Sequence, residues 1–117
     1  MAQVYNNPNI AEYKTVAPDE FEKVIENPDV FLLDVRNAEE FASGHIKGAT
    51  NIDVQDLGFL PEATRVLPKD KTIAVYCRSG KRSAEASEIL SNAGYKIVNL
   101  DGGITNWEAD GKPVTAQ

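Results

Sequence analysis

Thr72-Ile73-Ala74-Val75-Tyr76, followed by Cys77-Arg78-Ser79-Gly80-Lys81-Arg82 and then Ser83-Ala84-Glu85-Ala86-Ser87-Glu88-Ile89-Leu90, decides both architecture and chemistry. The first run is apolar and short enough for a buried strand. The last is rich in helix formers and closes on Asn92-Ala93-Gly94, a C-cap signal. Strand, tight loop and helix start therefore surround Cys77, the only cysteine of the chain. Such a turn aims backbone N–H groups and the positive end of a helix dipole at one point, which favours an anion. If that anion is the cysteine's own sulfur, the thiolate is favoured and the residue becomes a nucleophile. The plain alternative is a small buried core cysteine beside a solvated basic turn. Placement at a strand's end, with Gly80 permitting the turn, favours function.

Charge sharpens the reading. The chain carries 12 Lys and Arg against 18 Asp and Glu, yet Arg78, Lys81 and Arg82 crowd beside the thiol with no acid among them. A local basic spot on an acidic protein suits a small anionic substrate. Nucleic acid is an unsuitable partner, because the net charge of -6 is of the wrong sign.

A length of 117 residues with 42% hydrophobic and 26% charged residues predicts one soluble globular domain. One cysteine excludes an intramolecular disulfide framework, and one cysteine with one histidine argues against a structural zinc site. No apolar stretch approaches the roughly 20 residues of a membrane span, so no membrane partner is expected. The start, Met1-Ala2-Gln3-Val4-Tyr5-Asn6-Asn7-Pro8, lacks the basic and apolar regions of a signal peptide. A reactive thiol then predicts a cytoplasmic setting; a removed signal peptide would place it in the periplasm instead.

Outward from the loop, residues 1–14 read as a polar N-terminal arm and 15–117 as the folded domain. Pro18 suits the first position of a helix running through Glu26, and Asn27-Pro28 stops it. Val30 to Val35 is a continuous apolar run of the parallel-strand type. Ala38 to Ser43 predicts a short helix ended by Gly44, Ala49 to Ile52 a brief strand, and Pro61 to Val66 another helix. Lys96 to Leu100 is a further strand, and Gly102-Gly103 turns into a last helix around Ile104 and Trp107. Strands alternating with helices predict an α/β fold with a parallel sheet covered on both faces. Ligands of such sheets sit at the carboxyl ends of strands, where Cys77 falls.

Three stretches together resemble the single-domain rhodaneses, a family of sulfurtransferases. Asp34-Val35-Arg36 through Glu40-Phe41, Gly44-His45-Ile46, Gly48-Ala49 and Asn51-Ile52 is similar to the family's D-V-R-x3-E-F/Y-x2-G-H-I-x-G-A-x-N-I. Tyr76 to Ser83 is similar to its active-site loop Y-C-x-S/T-G-x-R-S/A. Leu100 to Trp107 is similar to its L-x-G-G-I/W/M-x-x-W segment. The likeness spans about residues 15–114. It implies a rhodanese-like domain with a central five-stranded parallel sheet, and a Cys77 that carries sulfur as a persulfide. Thiosulfate or a similar donor would supply the sulfur, and cyanide, a thiol or a protein acceptor would remove it, with no metal or organic cofactor. A persulfide carrier or non-catalytic interaction module is the alternative from another class.

Loop length separates relatives of this fold. Cys77 and Arg82 enclose four residues, C-x4-R. Cysteine phosphatases use C-x5-R, a wider cradle for a tetrahedral oxyanion with an arginine on two of its oxygens. That arginine would fall at 83, where the chain has serine, so phosphatase and arsenate reductase readings are disfavoured. The N–H groups of residues 78 to 82, including those of Ser79 and Gly80, are expected to hold the persulfide. Arg78 and Lys81 would attract the donor anion, and Arg82 would brace the loop.

Other residues lean structural. The resemblance has Asp34 bracing the active-site region; for Arg36, a surface pair with Glu39 or Glu40 stands beside a supporting role. His45, in a turn before a strand, reads as a hydrogen-bonded structural histidine rather than a general base. Trp107 reads as a core or rim aromatic, and Asp101 as a turn residue.

Overall fold

The computed structural model describes residues 12–117. Ten elements follow in chain order: β1 (Lys14–Val16), α1 (Pro18–Ile25), β2 (Val30–Asp34), α2 (Ala38–Ser43), β3 (Thr50–Asn51), α3 (Phe59–Val66), β4 (Thr72–Tyr76), α4 (Lys81–Asn92), β5 (Ile97–Leu100) and α5 (Gly103–Ala109). All five strands are parallel, in the order β1-β5-β4-β2-β3. The five-stranded sheet implied by the family resemblance is therefore present, with helices on both faces.

Composition explains the order. β4 lies at the centre, and Ile73, Ala74, Val75 and Tyr76 are all fully buried, as an uninterrupted apolar strand requires. Alternation along the strands sorts the core into two layers. Leu33, Val35, Val75 and Cys77 pack with Phe59 and Ala63 of α3 and with Ala86 and Leu90 of α4. Leu32, Ala74, Tyr76 and Leu100 pack on the other face with Phe21 of α1 and with Ile104 and Trp107 of α5. Phe21 and Trp107 meet edge to face, ring centroids 6.2 Å apart.

The chain reverses its direction of sheet growth between β2 and β4. From β2 it adds β3 on one side, and from β4 it adds β5 on the other. The crevice at the carboxyl ends of β2 and β4 is where such sheets bind ligands, and Cys77 is the first residue beyond β4.

Several element boundaries differ from expectation by one or two residues. Of the expected arm, residues 1–14, positions 1–11 lie outside the described residues, and Lys14 at its end opens the edge strand β1. α3 begins at Phe59 rather than Pro61, because a first-turn N–H needs no helical acceptor and proline's lack of one is harmless there. α4 begins at Lys81 rather than Ser83, with Gly80 as N-cap at φ 110°, so Lys81 and Arg82 belong to its first turn. Among the described residues no helix is long and apolar enough to cross a membrane.

Candidate active site

Cys77 leaves β4 on the α3–α4 face and is almost fully buried. Its Sγ accepts a hydrogen bond from the Gly80 N–H at 3.0 Å, which folds the loop back over the sulfur. Gly80 adopts a φ of 110°, open to glycine and strained for any other residue.

The α5 start clamps the loop from the opposite side. Ile104 N–H donates to the Cys77 carbonyl at 2.9 Å, and Thr105 N–H donates to that of Arg78 at 3.0 Å. A trans peptide sets N–H opposite C=O, so the N–H groups of Arg78 and Ser79 turn away from α5. Gly103, at φ 63°, makes this approach feasible: a Cβ there would lie 2.6 Å from the Cys77 carbonyl oxygen and nearer still to that of Arg78. Among the described residues no acceptor takes the N–H of Arg78, Ser79, Lys81, Arg82 or Ser83. A helix start leaves such donors free, and here they gather on the loop that encloses a sulfur.

Arg78, Ser79 and Lys81 are exposed, and among the described residues neither Arg78 nor Lys81 forms an ion pair. Arg82 behaves differently. Its Nη1 and Nη2 donate to Oε1 and Oε2 of Glu40 at 2.7 and 2.9 Å, a bidentate pair that is about a quarter exposed or less. Glu40 is also the N3 residue of a capping box on α2: Asn37 Oδ1 accepts the Glu40 N–H at 2.8 Å and Glu40 Oε1 accepts the Asn37 N–H at 3.1 Å. The bonds from Arg82 above all, aided by the Asn37 N–H, hold the Glu40 carboxyl at about 2, well below the usual carboxylate range.

Asp34 and Arg36 are not brought to the thiol. Asp34 pairs in register with Tyr76 and shares its face of the sheet, opposite Cys77. The surface pair of Arg36 with Glu39 or Glu40 is not formed. Arg36 is buried, and its Nε and Nη2 donate to the two Asp34 carboxylate oxygens at 3.1 and 2.7 Å. Two opposite charges this deep need each other, since breaking a buried pair strands a charge. Arg36 Nη2 also donates to the Gly44 carbonyl at 2.7 Å, and its guanidinium lies 5.7 Å from the Tyr76 ring centroid. Burial first, and then the Asp34 charge, push the Tyr76 hydroxyl well up, so it stays neutral and accepts the Ile46 N–H at 3.0 Å. The pair anchors the end of α2, and α2 carries the glutamate that holds Arg82.

His45 is structural in its contacts. It is buried, stacks on Phe41 with centroids 3.8 Å apart, and sets Nδ1 2.8 Å from the Phe41 carbonyl. Trp107 is a core residue whose Nε1–H donates to Pro113 at 2.9 Å. Two residues escaped the reading of the sequence as site residues, Glu40 and Gly103. The Asn37-x-x-Glu40 capping signature was the available signal for the first. Nothing in one sequence separates Gly103 from an ordinary turn glycine.

Comparison with known proteins agrees with this geometry. The rhodanese-like domain family model matches residues 17–110. The chain belongs to that family. It is 40% identical over 92 residues to YtwF of Bacillus subtilis, which carries a sulfurtransferase name, covering 79% of this chain and 86% of that protein. It is 35% identical over 96 residues to a sulfurtransferase of Allochromatium vinosum, covering 81% and 87% respectively. A tRNA uridine(34) hydroxylase of Bacillus velezensis is 32% identical over 108 residues, but there the match spans 34% of the relative. Among solved structures, a rhodanese-related protein from Thermoplasma volcanium superposes with a TM-score of 0.79 at 35% identity, over 90% of this rhodanese-like chain and all of the other.

Proposed function

We propose that this rhodanese-like protein is a thiosulfate-type sulfurtransferase working through a Cys77 persulfide. One observation carries the reading: Sγ of Cys77 sits in a C-x4-R loop whose Gly80 N–H already bonds it, while the neighbouring N–H donors have no acceptor among the described residues. Such donors are preorganised for negative charge on sulfur, first on the thiolate and then on the terminal sulfur of a persulfide. Arg78 and Lys81, exposed on the loop and without an ion-pair partner among the described residues, support an anionic donor.

The chemistry takes two displacements. The Cys77 thiolate attacks the outer sulfur of thiosulfate; its S–S bond breaks, and sulfite leaves with the electron pair. Cys77 then bears a persulfide anion inside the N–H cradle. Cyanide or a thiolate attacks the terminal sulfur, that S–S bond breaks, and the electron pair returns to Cys77 as thiolate. The tight loop admits one extra sulfur more readily than a phosphoryl group.

A thiosulfate:cyanide assay beside an aryl phosphate tests the proposal. Turnover with thiosulfate alone supports it. Negligible turnover, with Cys77 loaded by a partner protein, would replace it with the persulfide-carrier reading, and phosphate ester hydrolysis would replace it with a phosphatase.

A further inference from the structure

Arg82 is the one loop cation that does not face solvent freely. It stands in the first turn of α4, on the helix that the Cys77 loop leads into, yet both its terminal nitrogens point to Glu40. Glu40 is fixed in turn: the α2 capping box holds its carboxylate, and the buried Asp34–Arg36 pair anchors the end of the same helix through Gly44. A bidentate acid mounted on a braced helix is not an incidental surface contact.

We propose that Glu40 is a positioning residue for Cys77: by occupying both terminal nitrogens of Arg82 it holds that guanidinium off the sulfur and leaves the cradle to backbone N–H groups. Without it, Arg82 would be a mobile cation at the mouth of an anion site. It would over-stabilise the thiolate and detain a donor or departing sulfite instead of releasing it. The charges that bear on the pair come from every side. Asp53 acts on Arg82 from the segment after β3, Arg36 acts on Glu40 from the end of β2, and Arg78 and Lys81 flank the same loop. Of these, Glu40 alone makes paired hydrogen bonds to Arg82.

The inference rests on Cys77 being the nucleophile of the sulfurtransferase. Its test is the pH titration of the thiolate by ultraviolet absorbance, with Cys77→Ser subtracted; the chain's single cysteine makes the signal specific. No sulfur donor is involved, so failure here leaves the sulfurtransferase reading standing, and failure of that reading leaves the titration interpretable. Glu40→Gln keeps the volume and the acceptor for the Asn37 N–H while removing the charge. Its midpoint should fall by about 0.5 pH unit or more, about threefold more thiolate on the acid side. Thiosulfate turnover should drop at least ~tenfold in kcat with KM unchanged or lower. The double variant Glu40→Gln/Arg82→Gln should titrate like the native protein. Arg82→Gln alone, which leaves the Glu40 carboxylate without its cation, should shift the midpoint upward, and it carries the test if Glu40→Gln does not fold. An unmoved midpoint in Glu40→Gln, even with lost activity, or a shift that persists in the double variant, overturns the proposal.

Discussion

Gly103 lies against the backbone of Arg78 with no room for a side chain between them. That contact welds the start of α5 to the loop carrying Cys77 and turns two peptide planes so that their carbonyls bond Ile104 and Thr105. Gly103→Ala is therefore predicted to lose more than ~2 kcal/mol, combining left-handed strain with a clash against backbone that cannot rotate away. Gly111→Ala is the control: its φ of 77° carries similar strain, but nothing lies within 4 Å of its Cβ position. Urea unfolding of both variants separates the clash from the strain, and sulfur transfer should fail in the first alone. Equal stability losses would mean the close approach is not what holds the loop.

Much of this architecture was legible because central parallel strands are buried on both faces and write themselves as apolar runs. Thr72 to Tyr76 matches β4 residue for residue, and Val30 to Val35 overshoots β2 by one. Lys14-Thr15-Val16 was not legible: a three-residue edge strand with one buried side chain has too little hydrophobic period to show. The site divides in the same way. A cysteine at a strand's end before a glycine turn is a local pattern, so Cys77 and its loop could be read directly. The partner of Arg36 could not, because Asp34, Glu39 and Glu40 are all near it in the chain and burial alone selects Asp34. Glu40 and Arg82 are 42 positions apart, and only the fold brings them together.

Cys77→Ser should abolish sulfur transfer and leave the fold intact. Serine is nearly isosteric, but its hydroxyl is not ionised near neutral pH and cannot form a persulfide. Mass spectrometry after thiosulfate treatment should find one added sulfur on the native protein and none on the variant. A variant that gains sulfur, or keeps turning over, would show that another group is the nucleophile.

Replacing both Arg78 and Lys81 by alanine should raise KM for thiosulfate with a smaller change in kcat. Neither side chain has an ion-pair partner among the described residues, so little structure depends on them. Attraction of a dianion is screened over about 10 Å at 0.1 M salt, so the native KM should climb with ionic strength and the variant's should climb less. Identical salt dependence in the two proteins would remove the electrostatic role.

Acid should expose the Glu40–Arg82 pair as a stability element. The carboxyl is held at about 2 against an ordinary 4.5, chiefly by the Arg82 hydrogen bonds. A depressed carboxylate pKa stabilises the fold above 4.5, and that contribution is lost as pH falls from there toward 2. After allowance for solvent screening it is on the order of 1 kcal/mol. The gap in unfolding free energy between native protein and Glu40→Gln should hold steady above pH ~5 and shrink through that window. A gap that does not change with pH would show that the pair's charge contributes nothing.

Inserting one glycine between Lys81 and Arg82 tests whether loop length sets the chemistry. The native C-x4-R loop closes through the 3.0 Å bond from Gly80 N–H to Sγ, and Arg82 lands on Glu40 from the first turn of α4. An added residue either rotates that helix start by about 100° relative to the loop or spreads the loop outward. In both cases the Gly80 N–H is pulled from the sulfur, and the neighbouring donors proposed for the persulfide are displaced with it. Losing a single donor of this kind costs roughly 10²–10³ in rate, so sulfur transfer should fall at least that far in a variant that still folds. The widened C-x5-R loop could instead admit a tetrahedral oxyanion, because its cradle and arginine then resemble those suited to phosphate. Sulfur transfer and aryl phosphate hydrolysis should be measured on the same preparation, with circular dichroism verifying the fold. Full sulfur transfer in the insertion variant would show that convergence of the donors, and hence the length of the loop, is not what commits this site to sulfur.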